Sequence, residues 1–569
     1  MLEHPILHIT KIFIMKEVTF ILLMLLAIVS QGICQENENQ YDLLMNEMFA
    51  SDGPGGVALI SRDGQVLYRK AFGMANLELG VEMKPEHVFR IGSITKQFTA
   101  CAILKLAEEG KLDLQAKITQ YIKDYPTHGH TITIEHLLTH TSGIKSYTGM
   151  EEWTSELRKK DFTPEELVDF FKNQPMDFAP GEEFRYNNSA YFLLGYIIET
   201  VSGKSYESYI EEKFFQPLGM SNSSYGSTSR IIGMRADGYA RDGDEYKNDD
   251  FLSMTQPYSA GSLLSTVDDL QTWYTAVMNK EVISESSLEK ATTSSVLNNG
   301  KLTGYGYGWF LGNIQESPCI YHGGGINGYL TASIFLPEEQ LFVAVFSNCT
   351  CNDPSDLAVK MAAIALGKPY EWESSTLEDA LLKSYEAVYA SKYEGDLIIT
   401  CVDGKLVAMR SGGSETVLTP FEKDKFFIEE GTSTFHFVRG KGKGKPVTAV
   451  ITKGTGYDIE WKRTDKAIPR VEALELEESV LREYVGKFEL GPDFILAFFL
   501  EEGKFFTQAT GQESVELIPV GKDEFKVSGV DASVKFNRNA DDVIEGLTLY
   551  QNGEHQAKKI PEQGEPPID

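Results

Sequence analysis

The last third of this chain is one unit written twice, which leaves few folds open to it. Gly404-Lys405 is echoed by Gly503-Lys504, Pro420 by Pro519, Asp424 by Asp523 and Phe426 by Phe525, each pair standing 99 positions apart. Self-similarity at a fixed period marks a structural unit used in tandem. Within each copy, short alternating apolar runs are separated by Gly, Asp and Asn, the pattern of half-buried strands joined by tight turns. Beyond Trp372 the chain is therefore expected to form two all-β modules of lipocalin-like or barrel type, over 380–467 and 475–569. Tyr393-Glu394-Gly395 also matches Tyr484-Val485-Gly486, 91 positions on, which requires an insertion in one copy. The Lys- and Gly-rich stretch 439–445 reads as a flexible loop of the first copy rather than a binding patch.

The part before the repeat has a different texture. A helix is expected over 38–50, then strands at 57–60 and 66–68 around Asp63-Gly64. A second hairpin, 330–336 and 341–346, comes much later around Pro337-Glu338-Glu339-Gln340, and a helix over 356–366 follows. Between the hairpins the periodicity is mainly helical. Strands from both ends enclosing a helical insertion predict one α+β domain over 38–368.

Acidic residues outnumber basic ones by 83 to 53, and a formal charge of −30 repels nucleic acid and anionic lipid. Lys16, the apolar run 18–29 and Gly32-Ile33-Cys34 read as an export signal over 1–34, which predicts a periplasmic or extracellular location. The run is short for a membrane span, so any membrane contact is expected only through this segment or a lipid on Cys34. The remaining cysteines, Cys101, Cys319, Cys349, Cys351 and Cys401, are odd in number and imply no disulfide framework. Cys349 and Cys351 are too close in sequence to be expected as partners.

A serine hydroxyl is a weak nucleophile and needs a base within hydrogen-bond reach. Ser93-Ile94-Thr95-Lys96 supplies one: with Ser93 opening a helix, Lys96 lies one turn on, and burial there lowers an ammonium pKa. Ser142/Lys145 and Ser287/Lys290 share the spacing, about as chance predicts. Context separates them. Ser93 follows a strand-like Val88-Phe89-Arg90-Ile91 and Gly92 and leads into an apolar helix, whose free N–H groups and dipole favour a developing negative charge. Ser142 belongs to a Thr-Ser-Gly loop, and Ser287 to a polar stretch expected at the surface.

Further along, Tyr186 and Asn188 precede the helical run 191–201. The Tyr-x-Asn triplets at Tyr246 and Tyr550 are flanked by polar turn residues and read as surface. His322-Gly323-Gly324-Gly325 then stands before the 330 strand, where adjacent glycines let a substrate approach backbone N–H groups. His128, His130, His136 and His140 cluster, but a structural role is expected for them rather than a metal. The sequence implies no cofactor.

Taken in order, Ser93-x-x-Lys96, Tyr186-x-Asn188 and His322-x-Gly324 resemble the serine β-lactamase and penicillin-binding-protein superfamily, most closely class C β-lactamases, DD-peptidases and related esterases and D-aminopeptidases. Leu137-Leu138-Thr139-His140-Thr141-Ser142-Gly143 and Gln216-Pro217-Leu218-Gly219-Met220 support the resemblance, which covers about 40–368. It implies that Ser93 attacks a carbonyl while Lys96 and Tyr186 exchange its proton as one coupled unit. It implies further that Asn188 holds substrate or lysine, that His322 and Gly324 flank the substrate, and that the N–H groups of Ser93 and Gly325 form an oxyanion hole. The family's third motif usually begins with lysine; His322 is largely neutral near pH 7, so weak β-lactam turnover is expected. The implied substrate is a small molecule or peptide, foremost a D-amino-acid peptide. A carboxylesterase, a weak β-lactamase or a catalytically silent binding protein are the alternatives. One D-aminopeptidase group in the family also carries two C-terminal barrels, which the repeat here resembles.

Overall fold

Hairpins at both ends of the first domain build one sheet, because the strand nearest the start of the chain pairs with the last. The computed structural model describes residues 37–560 except 244, 393, 412, 430, 442–444, 456–457, 470–473, 475, 492–493, 502, 540 and 552. The expected leader 1–34, Cys34 and Tyr393 thus lie outside the described residues. The chain divides into two units, the first reaching Tyr370 and taking in Thr455, the second formed by the rest of the chain from Glu371.

The first unit holds a six-stranded antiparallel sheet of β1 (Gly56–Arg62), β2 (Gln65–Phe72), β3 (Phe310–Ile314), β4 (Ser317–Ile326), β5 (Tyr329–Leu336) and β6 (Leu341–Ser347). The order is β3-β4-β5-β6-β1-β2, with Gly56 opposite Ser347 and Arg62 opposite Leu341 at the junction. Asp63 and Gly64 turn β1 into β2 with φ of 51° and 76°, the left-handed pair that a two-residue hairpin demands. Alternate side chains serve two cores. Val57 and Leu59 face the helical layer, while Ala58 and Ile60 face a helix over 37–48 (α1) and the closing helix 355–365. The helical layer includes α2 (Thr95–Glu108), α3 (Asn188–Ser202) and α4 (Val267–Met278), and Phe98 of α2 stacks on Trp273 of α4 at 3.9 Å. The unit is α+β, as the sequence predicts.

The second unit contains two closed eight-stranded antiparallel barrels, running from Ala387–Ser391 to Ile459–Arg463 and from Gly486–Gly491 to Glu554–Lys559. Strands keep the 99-residue offset: Gly395–Val402 answers Phe494–Glu501, and Thr434–Arg439 answers Ser533–Arg538. Their interiors are packed with side chains, Phe426, Phe437 and Trp461 in one and Phe488, Phe525 and Phe536 in the other. Each encloses the same polar clasp. Tyr385 Oη and Arg439 Nε both donate to Asp424 Oδ1 at 2.8 Å, and Tyr484 Oη and Arg538 Nε to Asp523 Oδ1 at 2.9 and 2.8 Å.

The clasp corrects one sequence expectation. Tyr484 corresponds to Tyr385, not to Tyr393, so its offset is also 99 and no insertion precedes it. The copies diverge later: Val447–Lys453 answers Ile544–Tyr550 at an offset of 97, leaving two extra residues in the first copy's Lys- and Gly-rich loop. A second correction concerns Cys349 and Cys351, which are bonded to each other. The backbone turns sharply after β6, bringing their Cα atoms to 5.1 Å, within the span a disulfide bridges. Spatial separation, not the single intervening residue, decides. Cys101 and Cys319 are buried free thiols, and Cys401 is half-buried.

Candidate active site

Glycine brings the Ser93 turn against the sheet. The chain leaves the short strand Phe89–Arg90, bends at Gly92 with φ of 50° through a 3-10 turn over Gly92–Ile94, and enters α2. Ser93 therefore sits just before the helix rather than as its first residue. A Cβ on Gly92 would come 3.0 Å from Gly325 N, and one on Gly324 would come 2.0 Å from Ile91 O. The Thr331 hydroxyl donates to Ile91 O at 3.1 Å and fixes the same contact from β5. Side chains at these glycines would force β4 and the serine turn apart.

Lys96, fully buried on α2, donates from Nζ to Ser93 Oγ at 3.0 Å, Asn188 Oδ1 at 2.9 Å and Ala260 O at 2.8 Å. No carboxylate is among these partners, and burial drives its pKa well below the ordinary lysine value. Once neutral, the amine keeps two N–H bonds for Asn188 Oδ1 and Ala260 O, and its lone pair is free to accept the Ser93 hydroxyl proton. Asn188 opens α3, where the Asn187 side chain accepts from Ala190 N at 2.9 Å as the helix cap. Asn188 Nδ2 then donates to Thr148 Oγ1 at 3.1 Å, so one amide joins the lysine to a separate loop.

The Tyr186 ring lies 4.7 Å from Lys96 Nζ. Its hydroxyl is buried with no partner of good geometry among the described residues. Burial raises its pKa above the ordinary tyrosine value, and a weaker influence of the Ser93 side chain opposes this. His322 is also buried. Its Nδ1 meets Gly323 O at 2.6 Å, its Nε2 meets Tyr305 Oη at 3.2 Å, and its ring is 6.0 Å from that of Tyr186. Burial, with help from Lys96, pulls the His322 pKa down to about 3, leaving the imidazole neutral near pH 7. Ser93, Lys96, Tyr186, Asn188, Gly324 and Gly325 thus meet at one place, with His322 behind Tyr186 and Tyr305.

Of the other sequence candidates, His140 borders the cluster, its ring 4.4 Å from that of Tyr186, and those that follow beside it have structural roles. His136 Nδ1 accepts from Thr133 N at 3.2 Å in a helix cap, and buried His140 accepts from Asn187 N at 3.0 Å, holding the start of α3. Lys145 pairs with Asp177 at 3.3 Å instead of reaching Ser142. Ser287 corrects an expectation: it is buried, not surface-exposed, because Ser284 caps its helix and folds the serine under. Tyr246 and Tyr550 are exposed.

A family model described as Beta-lactamase matches residues 42–367, a span that contains every residue of this cluster. The chain belongs to the beta-lactamase family. As a member it is a serine hydrolase. It is similar to Penicillin-binding protein 4* of Bacillus subtilis (strain 168), 29% identical over 68% of this chain and 91% of that protein. Among solved structures it is similar to the octameric penicillin-binding protein homologue from Pyrococcus abyssi, 26% identical with a TM-score of 0.53, covering 91% of this chain and 99% of that one. A D-stereospecific amidohydrolase from Streptomyces sp. is 25% identical with a TM-score of 0.50, over 58% of this chain and 98% of that one.

In this beta-lactamase-family chain the serine opens onto a cleft of about 220 Å³. Ser93, Asn188 and Gly325 line it together with residues the sequence did not single out, Tyr147, Trp153, Arg158 and Gln256. These lie on loops and one-turn helices without periodicity, so only their neighbour, the Leu-Leu-Thr-His-Thr-Ser-Gly stretch, signalled that the region approaches the site.

Proposed function

We propose that this chain hydrolyses D-amino-acid peptides or amides through an acyl-enzyme on Ser93. The observation that carries the reading is a fully buried lysine amine, with no carboxylate partner among the described residues and 3.0 Å from Ser93 Oγ. As Oγ bonds to the substrate carbonyl carbon, its proton passes to neutral Lys96. The unpartnered Tyr186 hydroxyl donates a proton to the departing amine as the C–N bond breaks, and recovers one through Lys96. Water then attacks the ester, and the released proton returns Ser93 to its hydroxyl form. The N–H groups of Ser93 and Gly325 receive the oxyanion in both steps, and Asn188 holds Lys96 in line.

The D-configuration is supported by similarity to the D-stereospecific amidohydrolase from Streptomyces sp.. Neutral His322 leaves no fixed cation at the third motif, so β-lactam turnover is expected to be weak. An exported location, expected from the 1–34 leader, belongs to the same reading. The test is fluorophosphonate labelling of the wild type and of Ser93→Ala, followed by hydrolysis of D-amino-acid amides, D-Ala-D-Ala peptides and p-nitrophenyl esters with Ser93→Ala as blank. Labelling that survives Ser93→Ala, or turnover confined to esters, overturns the proposal.

A further inference from the structure

Among the described residues that line the cleft beside Ser93, one side chain is charged, Arg158, in a chain whose formal charge is −30. Arg158 ends the one-turn helix Ser155–Arg158 and has no hydrogen bond or ion pair from its guanidinium to any described residue. Its Nε is buried and unpartnered. A guanidinium cannot shed its proton, so an unneutralised one in a cleft wall is a standing site for an anion.

The backbone that carries it is braced. Ser253 N donates to Arg158 O at 2.9 Å, and buried Gln256 spans the segment from Nε2 to Leu157 O at 2.7 Å and Lys160 O at 2.5 Å. Gln256 O in turn accepts from Tyr147 Oη at 2.8 Å, and Tyr147 packs edge-on against Trp153 at 4.7 Å. An aromatic wall beside a preorganised fork limits how much water competes for the ligand. Neither of the other basic groups near Ser93 competes: burial disfavours charge on Lys96, and His322 lies behind the aromatic cluster.

From this geometry we infer that Arg158 is a specificity-determining residue that selects substrates bearing a carboxylate. The inference rests on the proposed hydrolysis at Ser93 and assigns it a substrate class. The carboxylate is either the free C-terminus of a leaving amino acid or an acidic group on the acyl side, and two ligand pairs distinguish them. N-acetyl-D-Ala-D-Ala is compared with its C-terminal amide, and N-succinyl-D-Ala amide with its succinamoyl counterpart.

Each ligand is scored by its protection of Ser93 from a fluorophosphonate and by calorimetric binding, in wild type, Arg158→Gln and Arg158→Lys. A charge-assisted bidentate contact predicts that one carboxylate ligand binds about 10- to 100-fold more tightly than its amide partner. Arg158→Gln should abolish that gap by weakening the carboxylate ligand down to the affinity of its amide partner, and Arg158→Lys should restore part of it. The pair that shows the gap names the side of the scissile bond. Equal binding within both pairs, a gap that persists in Arg158→Gln, or equal loss for acid and amide overturns the inference. Calorimetry reads the preference even if Ser93 does not label, so failure of the nucleophile and failure of the carboxylate site are told apart.

Discussion

Acidification should unlock the first unit through His322. Its pKa falls from 6.5 to about 3, with burial as the main cause, Lys96 second, and the Gly323 carbonyl opposing. At about 1.4 kcal/mol per unit, the folded protein disfavours the imidazolium by about 5 kcal/mol relative to the unfolded chain. The unfolded state takes up the proton near pH 6.5 and the folded state only near 3, so between those values the unfolded chain holds more protons and stability drops as pH falls. The contribution is fully present above 6.5 and lost progressively toward 3; about 3 kcal/mol should be gone at pH 4.5. That is a large share of a typical stability of about 5–15 kcal/mol. His140, also buried and lowered, acts in the same sense, so the informative quantity is a difference between proteins. Urea unfolding of wild type and His322→Gln at pH 7.0 and 4.5 should show wild type losing about 3 kcal/mol more. Imidazole NMR provides the direct check, with the His322 signal assigned by its absence in His322→Gln. A His322 resonance titrating near pH 6.5 would refute the reasoning.

Three further outcomes follow from the geometry. Burial favours neutral Lys96, so kcat/KM should rise with pH through a lysine pKa well below the ordinary lysine value, while permanently charged Lys96→Arg should lose about 100-fold or more in fluorophosphonate labelling rate. Gly324→Ala places a Cβ 2.0 Å from Ile91 O, and should cost about 1–3 kcal/mol in thermal unfolding together with about 100-fold in kcat/KM; unchanged kinetics would show that the strand is not what positions Ser93. Asp523→Ala strips Tyr484 and Arg538 of their shared acceptor and should destabilise its barrel by about 3 kcal/mol, with Asp424→Ala doing the same to the other; calorimetric scans that superimpose on wild type would mean the clasp is dispensable.

The parts of this molecule legible in the sequence are those where local pattern and tertiary role coincide. The continuous apolar runs 57–60 and 341–346 mark strands buried on both faces, and Asp63-Gly64 marks the turn that follows the first of them. Ser93 and Lys96 were legible because helical spacing places both on one side. The barrel repeat showed itself through Pro420, Asp424 and Phe426, but Tyr385 escaped because its importance comes from a hydrogen bond 39 residues away, not from its neighbours. Arg158 and Trp153 escaped for the same reason. The disulfide was missed because a backbone turn, invisible in residue types alone, sets the distance between Cys349 and Cys351.

The β1–β6 pairing has a consequence for how the molecule comes into being. Residues 56–62 wait for residues 341–347 before either has its neighbour, and the Ser93 turn leans on β4, completed only at Ile326. At about 5–20 residues per second, a ribosome needs on the order of half a minute to bridge that gap. The nascent chain carries its serine and lysine throughout this interval without the walls that join them. The order of synthesis therefore acts as a timer, keeping the Ser93 turn from its supporting strand until the domain is nearly whole.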